Sequence, residues 1–151
     1  MKKVSLILVV FTTIFLAQGV KGQSVQQSFT GAKATLKHYK ALYMLDSNDP
    51  KTITGTLRNI NNALEDQRLK GKLEVELIAF GDGVAVYEKS GTFEETLKAL
   101  QAKGVLLDEC ENTVRERHID KNNLFPFISY VPSGNGEIII RQSQGWALVH
   151  P

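Results

Sequence analysis

The chain has 151 residues, with 18 Lys plus Arg against 16 Asp plus Glu and a formal charge of +2. That length suits one domain with a real core, and the near balance of charge argues against the clustered basic surface of a nucleic-acid binder. Cys110 is the only cysteine, so no disulfide can form within the chain.

Lys2 and Lys3 precede an apolar run from Val4 to Ala17, broken only by Ser5, Thr12 and Thr13. Ala17-Gln18-Gly19 and Val20-Lys21-Gly22 then offer cleavage positions. This is the pattern of an export signal over residues 1–22, cut after Gly22 or, alternatively, after Gly19. The run is shorter than the ~20 apolar residues of a membrane span. No stable span is expected after cleavage, no cysteine follows for a lipid anchor, and the expected location is periplasmic or secreted. Cleavage removes Lys2, Lys3 and Lys21, so Lys plus Arg falls from 18 to 15 against 16 acids, a formal charge of −1. An exported chain meets an oxidising compartment. Its single cysteine is then buried and inert, linked to another molecule, or kept as a reactive thiol.

Residues 23–38 read as a loose polar leader, and the domain is placed at 39–151. Lys40 to Asp46 is a short apolar run suited to a strand covered on both faces. Asp49 can cap a helix with Pro50 in its first turn, and Ile53, Leu57, Ile60 and Leu64 recur on one helical face. Lys70-Gly71-Lys72 breaks it. Leu73 to Phe80 is a second strand, closed by the tight turn Gly81-Asp82-Gly83, with a short helical turn over Val84 to Tyr87. Thr92 and Glu95 have capping-box spacing ahead of a helix buried through Phe93, Leu97 and Leu100.

Val105 to Glu109 is the third strand. A short helix follows over Asn112 to His118, capped by Asn112 or Thr113, and Asp120 caps a further turn. Pro126 to Val131 is the fourth strand. Ser133-Gly134-Asn135-Gly136 leads into a helix over Glu137 to Gln144, and Trp146 to Val149 is the fifth strand. Strands alternating with helices predict an α/β fold with a parallel sheet covered on both faces.

Ligands in such sheets sit at the carboxyl ends of the strands. The loops there begin at Asp46, Gly81, Cys110 and Pro132. A cysteine at a helix start meets free N–H groups and a partial positive charge, which favour thiolate. Arg115 and Arg117 are near enough in sequence to help, whereas Glu109 and Glu111 oppose. Packing as a small buried hydrophobe is the competing reading. Gly134-Asn135-Gly136 lacks dinucleotide or phosphate-loop spacing and reads as a plain helix entry. His38, His118 and His150 lack metal-ligand spacing, and no metal or organic cofactor is expected. Trp146 reads as a core or interface residue.

Several segments carry a family resemblance: Leu77 to Gly83, Lys103 to Thr113, Ile119 to Leu124, and the ending Val131-Pro132-Ser133-Gly134, Glu137, Arg141-Gln142 and Gly145 to Pro151. On these the chain resembles the DsrE/DsrF-like proteins, which include sulfur-relay subunits and YchN-like proteins. The resemblance implies a three-layer α/β/α fold with a five-stranded, mainly parallel sheet, assembled into trimers or hexamers. It implies a sulfur (persulfide) carrier with Cys110 as nucleophile, and sulfur donor and acceptor proteins or small thiols as partners. Asn112, Thr113 and Arg115 would stabilise the thiolate. Asp46, Gly81, Gly83, Pro132 and Ser133 would wall the pocket. Phe80 stands where many relatives carry histidine, so any polar role there is lost. A non-catalytic oligomeric binding or assembly module, or a thiol redox sensor, is the alternative function.

Overall fold

The computed structural model describes residues 28–151. The expected export signal and residues 23–27 of the leader lie outside the described residues. Residues 28–38 carry no helix or strand. Among the described residues, five strands form one sheet: β1 (Tyr39–Leu45), β2 (Leu73–Ala79), β3 (Leu106–Cys110), β4 (Ser129–Val131) and β5 (Ala147–Val149). Their order is β4-β3-β2-β1-β5, and every pairing is parallel. The helices are α1 (Pro50–Glu65), α2 (Glu94–Ala102), α3 (Glu111–Glu116) and α4 (Gly134–Ser143), with 3₁₀ segments at Gly81–Tyr87 and Lys121–Asn123. No described helix is long and apolar enough to cross a membrane.

Strand order explains the layers. Parallel crossovers are right-handed, so successive steps in one direction put their helices on one face. The chain steps from β1 to β2, β3 and β4 in one direction, which groups α1, α2 and α3. The step from β4 to β5 runs back across the sheet and sends α4 to the opposite face. The larger core accordingly joins Tyr43, Leu45, Leu77 and Leu107 of the sheet to Ile53, Leu57 and Ile60 of α1, Leu97 and Leu100 of α2, and Val114 of α3. Full burial of each such aliphatic side chain is worth roughly 1.5–3 kcal/mol. The smaller core joins Leu42, Ile78 and Trp146 to Ile138 of α4. Among the described residues one short helix covers this second face, and Leu106, Ile139, Ile140 and Leu148 stay exposed.

Local chemistry sets most boundaries. Asp49 Oδ2 accepts the Thr52 N–H at 2.8 Å, with Pro50 in the first turn of α1. Asp120 accepts the Asn122 N–H at 2.8 Å. Four expectations need correction. The capping box at Thr92 and Glu95 does not form, because Phe93 takes the cap position and α2 starts at Glu94. Cys110, not Asn112 or Thr113, is the N-cap of α3. Helix α4 starts three residues early, at Gly134, because Ser133 Oγ accepts the Gly136 N–H at 3.1 Å and so caps it. Strand β4 is confined to Ser129–Val131. The chain before it packs the core instead: Leu124, Phe125 and Ile128 are buried, Phe125 N–H binds Tyr87 O, and Pro126 has no N–H to give a ladder.

Gly83 marks a place of backbone contact. A Cβ there would lie 2.0 Å from Leu45 O. Gly83→Ala should therefore destabilise by at least about 3 kcal/mol, read as a lowered urea midpoint.

Beneath α4 lies a buried charge cluster. Arg141 Nε is 2.6 Å from Glu76 Oε2 and 2.7 Å from Glu137 Oε1, and the guanidinium stands 4.4 Å from the Trp146 ring centre. Glu76 is wholly buried, and neither of its oxygens has an aligned hydrogen bond, so the contact with Arg141 is ionic rather than directional. Burial pushes Glu76 up to about 7 and Asp108 up to about 6; Arg141 pulls both down and the neighbouring acids push them up. The folded state thus holds protons that the unfolded chain has lost, and stability falls as pH rises from about 4.5 to about 7. Urea midpoints at pH 5 and pH 8 should show this loss. Glu76→Gln should reduce it by on the order of 1 kcal/mol.

Candidate functional site

Cys110 ends β3 and caps α3 in a single residue. Its strand partner across the sheet is Val131, the last residue of β4, from which Pro132 and Ser133 lead into α4. The starts of α3 and α4 therefore meet at the thiol. Gly134 N–H donates to Cys110 Sγ at 3.1 Å. The Asn112 and Thr113 N–H groups and the Thr113 hydroxyl also stabilise charge on that sulfur. Gly134 can come this close because it has no side chain: a Cβ there would sit 3.2 Å from Phe80 Cβ and 3.4 Å from Cys110 Cβ.

These donors act against burial. Cys110 is only 5% exposed, which by itself raises a thiol. The donors from Gly134, Thr113 and Asn112 outweigh that, and the Cys110 thiol is held below its ordinary value. A hydrogen bond to a charged group is worth about 1.5–3 kcal/mol, so a few can overcome partial desolvation.

The two acids flanking Cys110 do not oppose it as the sequence suggests. Glu109 faces the other side of the strand, is wholly buried, and has no aligned hydrogen-bond partner for either oxygen. Burial, with the neighbouring sulfur charge, pushes it up to about 9 and keeps it neutral at pH 7. Glu111 is paired with Lys121 at 2.9 Å.

The structure draws Asn112, Thr113 and Gly81 to Cys110: Thr113 Oγ1 also accepts the Gly81 N–H at 2.9 Å. The other expected residues lie outside this group. Arg115 binds Asn112 Oδ1 at 2.7 Å and is exposed, so its charge is spent away from the sulfur. Asp46 is exposed and 3.3 Å from His150 Nε2. Gly83 packs on the Leu45 carbonyl, Ser133 caps α4, and Pro132 is exposed. A cavity of about 390 Å³ lined by Lys89, Ser90, Arg117 and His118, and a groove of about 400 Å³ between α1 and α2, are both lined without Cys110. The donor that sequence reasoning missed is Gly134. Its signal was present in Ser133-Gly134-Asn135-Gly136, a capped helix entry directly after a strand.

Thr113→Val removes one donor and leaves the Gly81 N–H unpaired. It should raise the Cys110 ionisation midpoint by about one pH unit, measured from the pH dependence of alkylation; Thr113→Ser should not.

The family model for the DsrE/DsrF-like family matches residues 22–151. Among curated proteins there is no match. Among solved structures, a protein of unknown function, MTH1491 from Methanobacterium thermoautotrophicum, is 27% identical, with TM-score 0.70 over 75% of this chain and 99% of that one. BT1422 from Bacteroides thetaiotaomicron, a conserved protein of unknown function, is 12% identical with TM-score 0.60 over 80% and 100%. The ychN protein from E. coli is 12% identical with TM-score 0.56 over 77% and 100%. The last two likenesses are of fold alone. A match over most of the sequence and a parallel α/β sheet shared with these structures identify the chain as a member of the DsrE/DsrF-like family.

Proposed function

We propose that this chain is an exported sulfur carrier that takes up and releases a sulfane sulfur at Cys110. One observation carries this reading: a buried thiol whose neighbours stabilise its anion while both flanking acids are neutral or paired. A thiol used only for packing gains nothing from such donors. The thiolate attacks the outer sulfur of a donor persulfide, R–S–SH. A Cys110–S bond forms, the donor S–S bond breaks, and its electron pair leaves as RS⁻. The proton remains on the transferred sulfur, giving Cys110–S–SH. An acceptor thiolate reverses the step, so no net oxidation occurs. Donor and acceptor are small thiols or proteins that carry one.

The same reading includes a homo-oligomer of three or six copies and a periplasmic or secreted location. Exposed Leu106, Ile139, Ile140 and Leu148 on the face of α4 support assembly. Sedimentation of the chain beginning at Gln23 should give three or six copies, and Ile139→Asp with Ile140→Asp should dissociate them. The 5% exposure of Cys110 supports a second reading, a binding or assembly module with a structural cysteine.

Intact mass after incubation with a persulfide donor separates the two. A carrier gains sulfur, loses it to an added thiol, and shows neither in Cys110→Ser. A chain that gains no sulfur, and whose Cys110 resists alkylation until it is unfolded, belongs to the second reading. A mixed disulfide or sulfenic acid formed with oxidant, without sulfur uptake, would make it a thiol sensor.

A further inference from the structure

Helix α4 rests on the sheet along one stripe. Gly134, Ile138 and Arg141 recur at helical spacing and are wholly or partly buried, whereas Ile139 and Ile140 are exposed. Gly134 stands on Cys110 and gives its N–H to the sulfur at 3.1 Å. Ile138 packs on the small core of Leu42, Ile78 and Trp146. Arg141 Nε lies 2.6 Å from Glu76 Oε2, with its guanidinium over the Trp146 ring. A single apolar side chain thus separates the contact with the sulfur from a buried ionic seat.

That seat holds more acid than base. Glu137 of the helix, with Glu76 and Asp108 of the sheet, surrounds the Arg141 guanidinium. Glu76 is wholly buried and Asp108 nearly so. Asp108 is beside Ile78 in register and two residues before Cys110, so all three share one face of the sheet. Among the described residues no second Lys or Arg is paired with these acids. Lys40 of β1 lies against the Trp146 ring, 5.9 Å from its centre, and Glu74 is exposed. Tyr87, behind the sheet, gives its hydroxyl to Leu77 O at 3.0 Å. Fully ionised, the seat would set three negative charges against one positive, out of water. Buried groups avoid that state by holding protons.

The sign follows from what moves. Burial keeps Glu76 and Asp108 above the usual carboxylate range, Glu76 up to about 7. Lifting α4 admits water to both and takes Glu137 and Arg141 away, which returns them toward that range. The seated helix therefore binds protons more tightly than the lifted one. Lifting is opposed at low pH and becomes easier as pH rises from about 4.5 to about 7. The aliphatic core on the other face contains none of these groups.

We propose that α4 is a pH-sensitive cover on Cys110: protons held by Glu76 and Asp108 keep the helix seated, and their loss lets it lift from the sheet and uncover the thiol. This goes beyond the carrier reading, since it applies to any chemistry at the sulfur.

Two measurements on the chain beginning at Gln23 test it. In amide hydrogen exchange, corrected for the intrinsic effect of pH, protection over Ile138 to Ser143 should lie below that of α1. It should fall by on the order of tenfold between pH 5.5 and pH 8. Glu76→Gln mimics the protonated acid; it should match the parent at pH 5.5 and retain most of that protection at pH 8. The thiol is read by alkylation with a bulky uncharged maleimide, as the ratio of parent to Glu76→Gln at each pH, so that ionisation of the thiol divides out. That ratio should climb from about one to on the order of ten. Should Glu76→Gln not fold, exchange in the parent and in Asp108→Asn decides the same question. Protection in α4 that is flat with pH, equal to that of α1, or lost as steeply in the variant would overturn the proposal, as would a flat alkylation ratio. Sulfur uptake is not the readout. A chain that takes up no sulfur but lifts α4 with pH loses the carrier reading and keeps the cover.

Discussion

The Gly134 N–H reaches Cys110 because the chain reverses its direction across the sheet after β4. Three crossovers in one direction leave α3 on the first face, and the returning one delivers α4 to the second. The two helices start at neighbouring strand ends, β3 and β4, from opposite sides. A residue ending β3 then lies at two helix starts, where backbone N–H groups have no partner within their own helix. The candidate chemistry follows from handedness and strand order before any side chain is considered.

Side chains then decide whether the position is usable for a thiolate. Burial works against the anion, and the donors work for it. The balance is kept because no acid near the sulfur competes: Glu109 is neutral on the far face of the strand, and Glu111 is committed to Lys121. On the α4 side, Glu76, Asp108 and Glu137 gather around Arg141. The second face thus has little apolar packing and much electrostatics, whereas the first face is held by a continuous aliphatic core.

Much of this is legible in the sequence where the signal is local. The α1 stripe, the Asp49 and Asp120 caps, and the strand runs at Leu73 and Val105 rest on short-range pattern and appear within a residue or so. Alternating strands and helices gave a parallel sheet directly. Signals that depend on tertiary choice were misread. Thr92 and Glu95 have the spacing of a capping box, but core packing of Phe93 moves the cap one residue on. Phe127 falls in the run that reads as the fourth strand, yet it stacks on Phe125 against the core. In the site, Cys110 and Thr113 could be named from a strand-to-helix junction. Gly134 could not be assigned to the sulfur, since that bond spans 24 residues and depends on register. Arg115 and Arg117 are alike in sequence, and only the path of α3 decides which one meets Asp82.

Among the described residues α4 alone covers the second face, and this has a consequence for reactivity. Departure of α4 from the sheet would uncover the thiol and, in the same motion, withdraw the Gly134 N–H from it. Access from that side and the Gly134 hydrogen bond are therefore opposed: the motion that exposes the sulfur, and relieves the burial working against its anion, also takes away one of the donors working for it. A reagent that waits for this helix to lift meets a sulfur without its Gly134 donor. One small enough to reach the sulfur with the helix seated meets it with that donor in place, so discrimination by size arises from a hydrogen bond rather than from a wall.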